Sequence, residues 1–434
     1  MISLDKIHKL GKDTESAVDE VMSNAYSPDS VKRSPLFTAM KAAKLLGISR
    51  PSLNKILSDN PYIEVTPQTS KNGSPSAPKF TLEQIQFIRE LLLGHSINEI
   101  QNVNIEEFKK NKNHMQLKIP RNLDETRPFI ISIANLKGGS TKSTVTILLS
   151  QFLAMKGYKV LTIDSDPQHT TTDYLGFIPA EGHPYDYTEE NTLLNLYQNK
   201  QPLRPLKSYW ENIDVVPTEI SGYNAEFILP VHQFQEEGNF FALLDYALNH
   251  KEEEWELSAL TDSNCPAYNP DNYDIVLIDT PPSYSYSSVN ALFASDALVV
   301  PVPPEMPDIA ATGVFFNNLF EILSQFQKFT GDTKSYEFIS TIGTKMSQKE
   351  SNRESFKLIR DIYGSNCIAT PLFESKAIEV ASKNMQSLYE LQSYNNVNRN
   401  TVNSAMQNVD EVFDEVESLV LEAIDKQKNL ELEA

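Results

Sequence analysis

Apolar positions along this chain gather into a few dense runs, and each run stops at a turn that carries polar or charged residues. Phe129-Ile130-Ile131-Ser132-Ile133 reads as a buried strand. The run from Lys159 to Ile163 predicts a second strand, Asp274 to Ile278 a third, and Phe338 to Lys345 a late one, with a short strand at Cys367-Ile368-Ala369. Between the first two, Val145 to Met155 predicts a helix that stops near Gly157, which makes a strand-helix-strand unit. The flanks of the chain are spaced as helices instead. Residues 1–25 form a mixed-charge stretch with Ile2, Leu4, Ile7 and Leu10 as its apolar positions. Phe37 to Leu57 predicts a short helix, a turn at Gly47 and a second helix capped by Ser49, with Ala42, Ala43, Leu46, Ile48, Leu53 and Ile56 at core spacing. Lys79 to Ile85 opens a further helix capped by Thr81. The last helix shows Val409, Val412, Phe413, Val416, Leu419, Val420 and Ile424 on one face.

The turn after the first strand is the most informative. Residues 131–144, ISIANLKGGSTKST, place a Gly-Gly pair between two lysines at a strand-to-helix junction. Backbone N–H groups at a helix N-terminus point outward, and Gly138 and Gly139 let the chain wrap an anion without Cβ clashes. Lys142 would reach the β- and γ-phosphates of a nucleotide, the Ser143 hydroxyl would ligate Mg²⁺, and Thr144 would contact the α-phosphate. Thr141 stands where most phosphate loops have glycine.

Two other strands end in acids. The second continues into Asp164-Ser165-Asp166-Pro167-Gln168, and the third into Asp279-Thr280-Pro281-Pro282. In a parallel sheet ligands collect at the carboxyl ends of strands, so all three ends can converge on one site.

These motifs resemble those of the deviant-Walker P-loop ATPases, the group of ParA partition proteins, MinD and nitrogenase iron protein. LKGGSTKST resembles the deviant Walker A motif, IDSDPQ the switch I motif, and LIDTPP Walker B with switch II. The resemblance covers roughly residues 125–390, and the DPQ tripeptide narrows it to ParA-type proteins. It implies an α/β P-loop fold with a central, mostly parallel sheet flanked by helices. It also implies roles. Lys137 resembles the signature lysine that reaches across an ATP-sandwich homodimer, and Gly138, Gly139, Ser140, Thr141, Lys142, Ser143 and Thr144 resemble the loop that holds ATP. Asp166 resembles the residue that orients the attacking water, Asp164 its switch I companion, and Asp279 the Walker B acid that acts on Mg²⁺ through water. Thr344, Lys345 and Pro371 resemble base-contacting positions. His169 replaces the family's usual small residue after DPQ.

Length and charge add a second module. At 434 residues the chain exceeds one P-loop domain. Its net charge of -20 is uneven, because residues 1–120 carry 16 Lys+Arg against 13 Asp+Glu. Within 31–60, Lys32, Arg33, Lys41, Lys44, Arg50 and Lys55 face Asp59 alone. A local basic patch on an acidic protein marks a polyanion contact. It coincides with the helix-turn-helix pattern, whose second helix would offer Arg50, Ser52, Asn54 and Lys55 to a major groove. Residues 66–79, TPQTSKNGSPSAPK, read as a wing or a flexible loop. The expected domains are therefore an N-terminal helix over 1–33 that is a candidate dimerisation element, an all-α winged helix-turn-helix module over 34–120, and the ATPase domain over 121–434.

Long plasmid-type ParA proteins have this architecture. The resemblance implies a Mg²⁺-dependent ATPase, slow alone and stimulated by DNA and a ParB-type partner, that segregates a plasmid or secondary chromosome. The N-terminal module would bind an operator and repress its own operon. A second, non-specific DNA surface is expected near Lys357, Arg360, Lys376 and Lys383, with Arg360 and Lys376 as principal contacts. The expected location is cytoplasmic and nucleoid-associated. The alternative is a DNA-binding regulator in which ATP is only a conformational ligand. Cys265 and Cys367 lack metal spacing, no apolar run reaches membrane-spanning length, and the polar face of the last helix is acidic, which anionic lipid would repel.

Overall fold

The computed structural model describes residues 6, 9–14, 32–61, 63, 66–69, 75–93, 127–178, 183–236, 240–250, 266–331, 333–391 and 397–433. Most of the expected N-terminal helix, residues 94–126 and Cys265 lie outside them.

Seven strands form the main sheet. They are β4 (Phe129–Ile133), β5 (Val160–Asp164), β6 (Leu206–Lys207), β7 (Ile213–Val216), β8 (Ile275–Asp279), β9 (Ala297–Val302) and β10 (Phe338–Gly343), in the order β10-β9-β4-β8-β5-β7-β6. All neighbours are parallel except the β6 and β7 pair. Every residue of β4, β5, β8 and β9 is buried, because helices cover both faces. Alternation then sorts side chains to two cores: Phe129, Ile131 and Ile133 enter one, and Ile130 the other.

On the first face lie α4 (Lys142–Lys156) and the long C-terminal α13 (Arg399–Glu433). The predicted apolar stripe of α13 docks there, with Val409, Val412, Phe413, Val416 and Val420 buried. The Phe413 ring sits 5.7 Å from Phe152 of α4. The opposite face carries α6 (Leu193–Asn199), α7 (Ala225–Glu236), α8 (Leu243–Asn249) and α9 (Tyr286–Ala294). Near β9 and β10 lie α10 (Met306–Thr330) and α11 (Glu350–Tyr363), followed by the short α12 (Lys376–Lys383). The expected strand at 367–369 is reduced to a single bridge between Thr341 and Cys367. The Glu415 carboxylate accepts the N–H groups of Ala369 and Thr370, so a side chain satisfies that backbone where a strand partner would.

The N-terminal module contains β1 (Phe37–Thr38), α1 (Ala39–Leu45), α2 (Arg50–Asp59), β2 (Thr66–Thr69), β3 (Pro75–Phe80) and α3 (Leu82–Leu93). Ser49 caps α2 as predicted, accepting from Ser52 N, and Gly47 makes the preceding turn with φ +64°. Thr81 and Gln84 form a reciprocal cap on α3. The 66–79 segment supplies an antiparallel hairpin, and β1 joins it to give the order β1-β3-β2. The module is thus not all-helical apart from a loop, and Lys79 and Phe80 belong to β3 where the sequence predicts helix. Its core residues Leu46, Leu53, Phe80 and Ile88 are contiguous with the core under α4 and α13.

Candidate nucleotide site and DNA-reading face

Sheet order explains why three distant motifs meet. β8 lies between β4 and β5, so Asp279 is the register partner of Ile133 on one side and of Asp164 on the other. The carboxyl ends of these strands form one rim, and α4 begins on it. The loop 134–141 crosses that rim. Gly139 has φ +75°, and Thr141 has the same left-handed value, taking the backbone normally left to glycine. The Thr141 hydroxyl donates to the Ser140 carbonyl.

Lys142 is buried and its Nζ donates to the Lys137 carbonyl at 3.3 Å, curling back over the loop. Lys345 also approaches the loop, its Nζ 3.8 Å from where a Cβ on Gly139 would sit. Two ammonium groups therefore lie against the glycine loop, an arrangement suited to polyphosphate. Thr344 is fully buried, its hydroxyl reaching the Ser140 carbonyl at 3.3 Å, so its side chain supports the loop from beneath. Pro371 lies alongside, since Leu372 N donates to the Gly343 carbonyl, and its own carbonyl accepts from Asn408.

The acids are held differently from one another. Asp164 is used internally: Oδ2 accepts from the Thr172 N–H and hydroxyl, both at 2.8 Å, and Oδ1 accepts from Asp166 N. Burial, with Asp279 close by, holds its carboxyl well above the usual range. Asp279 is fully buried, and burial pushes it up to about 6 against the opposing influence of the nearby Ser143 and Thr171 hydroxyls and the Lys142 ammonium. Its Oδ2 accepts from Thr171 at 2.7 Å, while Oδ1 is buried without a hydrogen-bond partner. Such an orphaned oxygen costs free energy unless water or an ion satisfies it. Beside Ser143 and Lys142, it fits the outer sphere of a hydrated divalent cation. Asp166 sits at the opening with Oδ1 accepting from Gln168 N, and burial raises its pKa. Burial also lowers the Lys142 pKa, with Asp279 and Asp166 opposing that shift.

Residues that the motifs do not mark complete the site. Buried Asn135 donates to the Pro301 carbonyl and Thr312, and accepts from Lys137 N, fixing the loop's first turn. Asp308 of α10 holds the exposed Lys137 ammonium at 3.6 Å. His169 adopts φ +47°, which explains why a small residue suits that position, and pairs with Asp173 at 3.0 Å.

In the N-terminal module Arg50, Ser52, Asn54 and Lys55 are all exposed on α2. The rest of the basic patch is differently employed. Lys41 and Lys44 of α1 both reach Asp410 of α13, at 3.1 and 3.5 Å, and Lys32 reaches the Tyr174 carbonyl and Glu390. Counting charges along the sequence overstates the patch, because these acids lie far along the chain. Arg360 is exposed on α11, whereas Lys376 pairs with Glu379 at 3.4 Å.

Known proteins are similar to this chain over the segment that carries these motifs. A family profile described as an AAA domain matches residues 129–334. Protein SopA of Escherichia coli is 23% identical over 90% of this chain and 89% of its own length. The sporulation initiation inhibitor protein Soj of Bacillus subtilis is 33% identical over 41% of this chain and 58% of its own. Among solved structures, one named a partition protein aligns with a TM-score of 0.54 and 20% identity, covering 95% of this chain and 98% of that one.

Proposed function

We propose, for a chain that belongs to the ParA-type branch of the MinD/ParA superfamily, a plasmid-partition ATPase that couples ATP turnover to dimerisation and DNA binding. One observation carries the reading: Asp279, between the ends of β4 and β5, keeps a buried oxygen without a hydrogen-bond partner, with Ser143 and Lys142 close enough to influence its carboxyl.

The chain's own groups account for phosphoryl transfer by positioning and charge neutralisation. The N–H groups at the start of α4 and the Gly138-Gly139 turn would wrap the phosphates, with Lys142 and Lys345 close to the loop. Ser143 and, through water, Asp279 would hold Mg²⁺, which would neutralise phosphate charge when bound. Asp166 at the mouth orients the water whose oxygen bonds to the γ-phosphorus as the bond to ADP breaks. Lys137, outside the rim, is placed to leave Asp308 and meet the phosphates of a second copy, so that ATP binding and dimerisation become one event. The exposed α2 residues would read an operator, and the dimer would bind nucleoid DNA until a ParB-type partner stimulates hydrolysis.

The test is turnover. ATP hydrolysis by the wild type should rise with DNA and a ParB-type partner, and Asp166→Ala should abolish that rise while leaving nucleotide binding. An unstimulated rate that the substitution does not change would instead select a regulator in which ATP is only a conformational ligand. Lys137→Gln should bind nucleotide yet sediment as a monomer with ATP, and a normal ATP-induced dimer would reject the sandwich.

A further inference from the structure

The nucleotide loop opens α4, and the other end of that helix lies about 22 Å away, from its fifteen residues at about 1.5 Å each. At that far end α4 meets the N-terminal module along the shared apolar core, and the Arg89 side chain spans the contact. Arg89 of α3 is 5% exposed and donates from Nη2 to two carbonyls, Met155 of α4 at 2.8 Å and Leu45 of α1 at 3.2 Å. Gln86 holds its Nη1 at 2.6 Å. Both carbonyls belong to last helical turns, whose C=O groups have no partner within their own helix and carry the negative end of the helix dipole. Among the described residues no carboxylate lies within ion-pair distance of Arg89, so two helix ends satisfy the guanidinium together. Gly157 is shaped around it. That residue caps α4 at φ +101°, and a Cβ there would stand 2.4 Å from Arg89 Nη1.

The other contacts between these elements are of a different kind. α1 faces α4 and α13 across a cavity of about 480 Å³, lined by Lys41, Lys44, Phe152, Met155 and Asp410 among others. Ion pairs line it: Asp410 of α13 holds Lys41 and Lys44 of α1, and within the ATPase body Asp414 and Glu417 of α13 hold Lys156 of α4 at 2.7 and 3.1 Å. Long side chains over a gap tolerate relative movement, whereas one buried guanidinium bonded to both backbones does not. α1 passes through Gly47 directly into α2, which carries Arg50, Ser52, Asn54 and Lys55.

We infer that Arg89 is the positioning residue through which the nucleotide-bearing helix sets the placement of the DNA-reading helix, so that removing its side chain uncouples duplex affinity from the exchange of ATP for ADP. This rests on the nucleotide and DNA assignments proposed above. The test uses the full chain, mant-ATP and mant-ADP as nucleotide probes, and a fluorescein-labelled duplex of the sequence immediately upstream of its own reading frame. In the wild type the duplex Kd should differ at least fivefold between ATP and ADP. Arg89→Gln should keep both mant-nucleotide affinities within twofold while the ATP/ADP ratio for the duplex falls below twofold, and Arg89→Lys should restore an intermediate ratio. A purely structural role would change duplex affinity equally in both nucleotide states, and a retained ratio in Arg89→Gln overturns the inference. Hydrogen exchange on the wild type covers a variant that does not fold. ATP should alter protection at residues 42–47 and 86–92 together with 153–158, and a silent junction beneath a protected nucleotide loop overturns the coupling. A wild type that binds no mant-ATP refutes the nucleotide assignment itself. One that binds it with nucleotide-insensitive duplex affinity refutes this inference alone.

Discussion

Replacing Gly157 by alanine tests the junction without touching either ligand site. Two costs add. The left-handed backbone at φ +101° costs a residue with a Cβ about 1–2 kcal/mol. The new methyl would lie 2.4 Å from Arg89 Nη1 and 3.0 Å from its Cζ, so the guanidinium must leave the Met155 and Leu45 carbonyls. Losing two hydrogen bonds from a charged donor costs about 2–4 kcal/mol. Gly157→Ala should therefore destabilise the chain by about 3–6 kcal/mol, and Arg89→Ala by about 2–4 kcal/mol through the same bonds. Once Arg89 is gone the methyl meets no guanidinium, so Gly157→Ala on that background should cost only the backbone share, about 1–2 kcal/mol. The double-mutant cycle should show a coupling of about 2 kcal/mol or more. Gly331→Ala is the control, because that residue caps α10 at φ +81° with nothing within 4 Å of an added Cβ, and it should cost the backbone share alone. Urea denaturation followed by far-UV circular dichroism reads each difference. Additivity within about 0.5 kcal/mol, or a Gly157 cost equal to that of Gly331, would refute the clash and with it the fixed placement of Arg89.

Phe413→Ala removes a fully buried ring packed at a tilt against Phe152 and should cost about 3–5 kcal/mol in the same assay, without conferring binding to anionic vesicles. His169→Gly relieves a left-handed backbone and should stabilise the chain by roughly 1 kcal/mol at pH 8.5. The gain should shrink at pH 5.5. The hydrogen bond to Asp173 raises the folded-state pKa of His169, so its contribution is fully present below the unfolded value of 6.5 and is lost as pH rises through the folded value. Melting curves at the two pH values check the sign, and equal gains would reject it. Arg360→Glu with Lys376→Glu should abolish ATP-dependent retention of random-sequence duplex in a filter assay, with nucleotide binding unchanged.

What the sequence made legible and what it hid separate on physical grounds. Strands covered on both faces must be apolar at every position, so β4, β5 and β8 stand out as β-branched runs and their terminal acids can be read directly. Their adjacency is not local information. Nothing near Asp279 says that β8 slots between β4 and β5, although that order makes Asp279 the register partner of both Ile133 and Asp164. Asp308 is equally silent, an acid in the first turn of a helix and indistinguishable in sequence from any other. Thr171 and Thr172 were in principle visible as hydroxyls just beyond a strand-end acid, but only the fold shows one serving Asp279 and the other Asp164.

The basic N-terminal segment shows the limit of counting charges along a chain. Six cations stand there against a single acid, yet Lys41 and Lys44 are held by Asp410 and Lys32 by Glu390, both more than 350 residues further on. That division follows direction. Lysines of α1 face the ATPase body and attach the module to it, while the residues of α2 face away. A duplex approaching α2 would also meet the electrostatic field of Asp410, already partly neutralised by two lysines, and these cannot bind phosphate without releasing it. Asp410→Asn should therefore free Lys41 and Lys44 for the DNA backbone and steepen the salt dependence of duplex binding by up to about two counterions. An unchanged slope in a salt titration would show that these lysines serve only to hold the module in place.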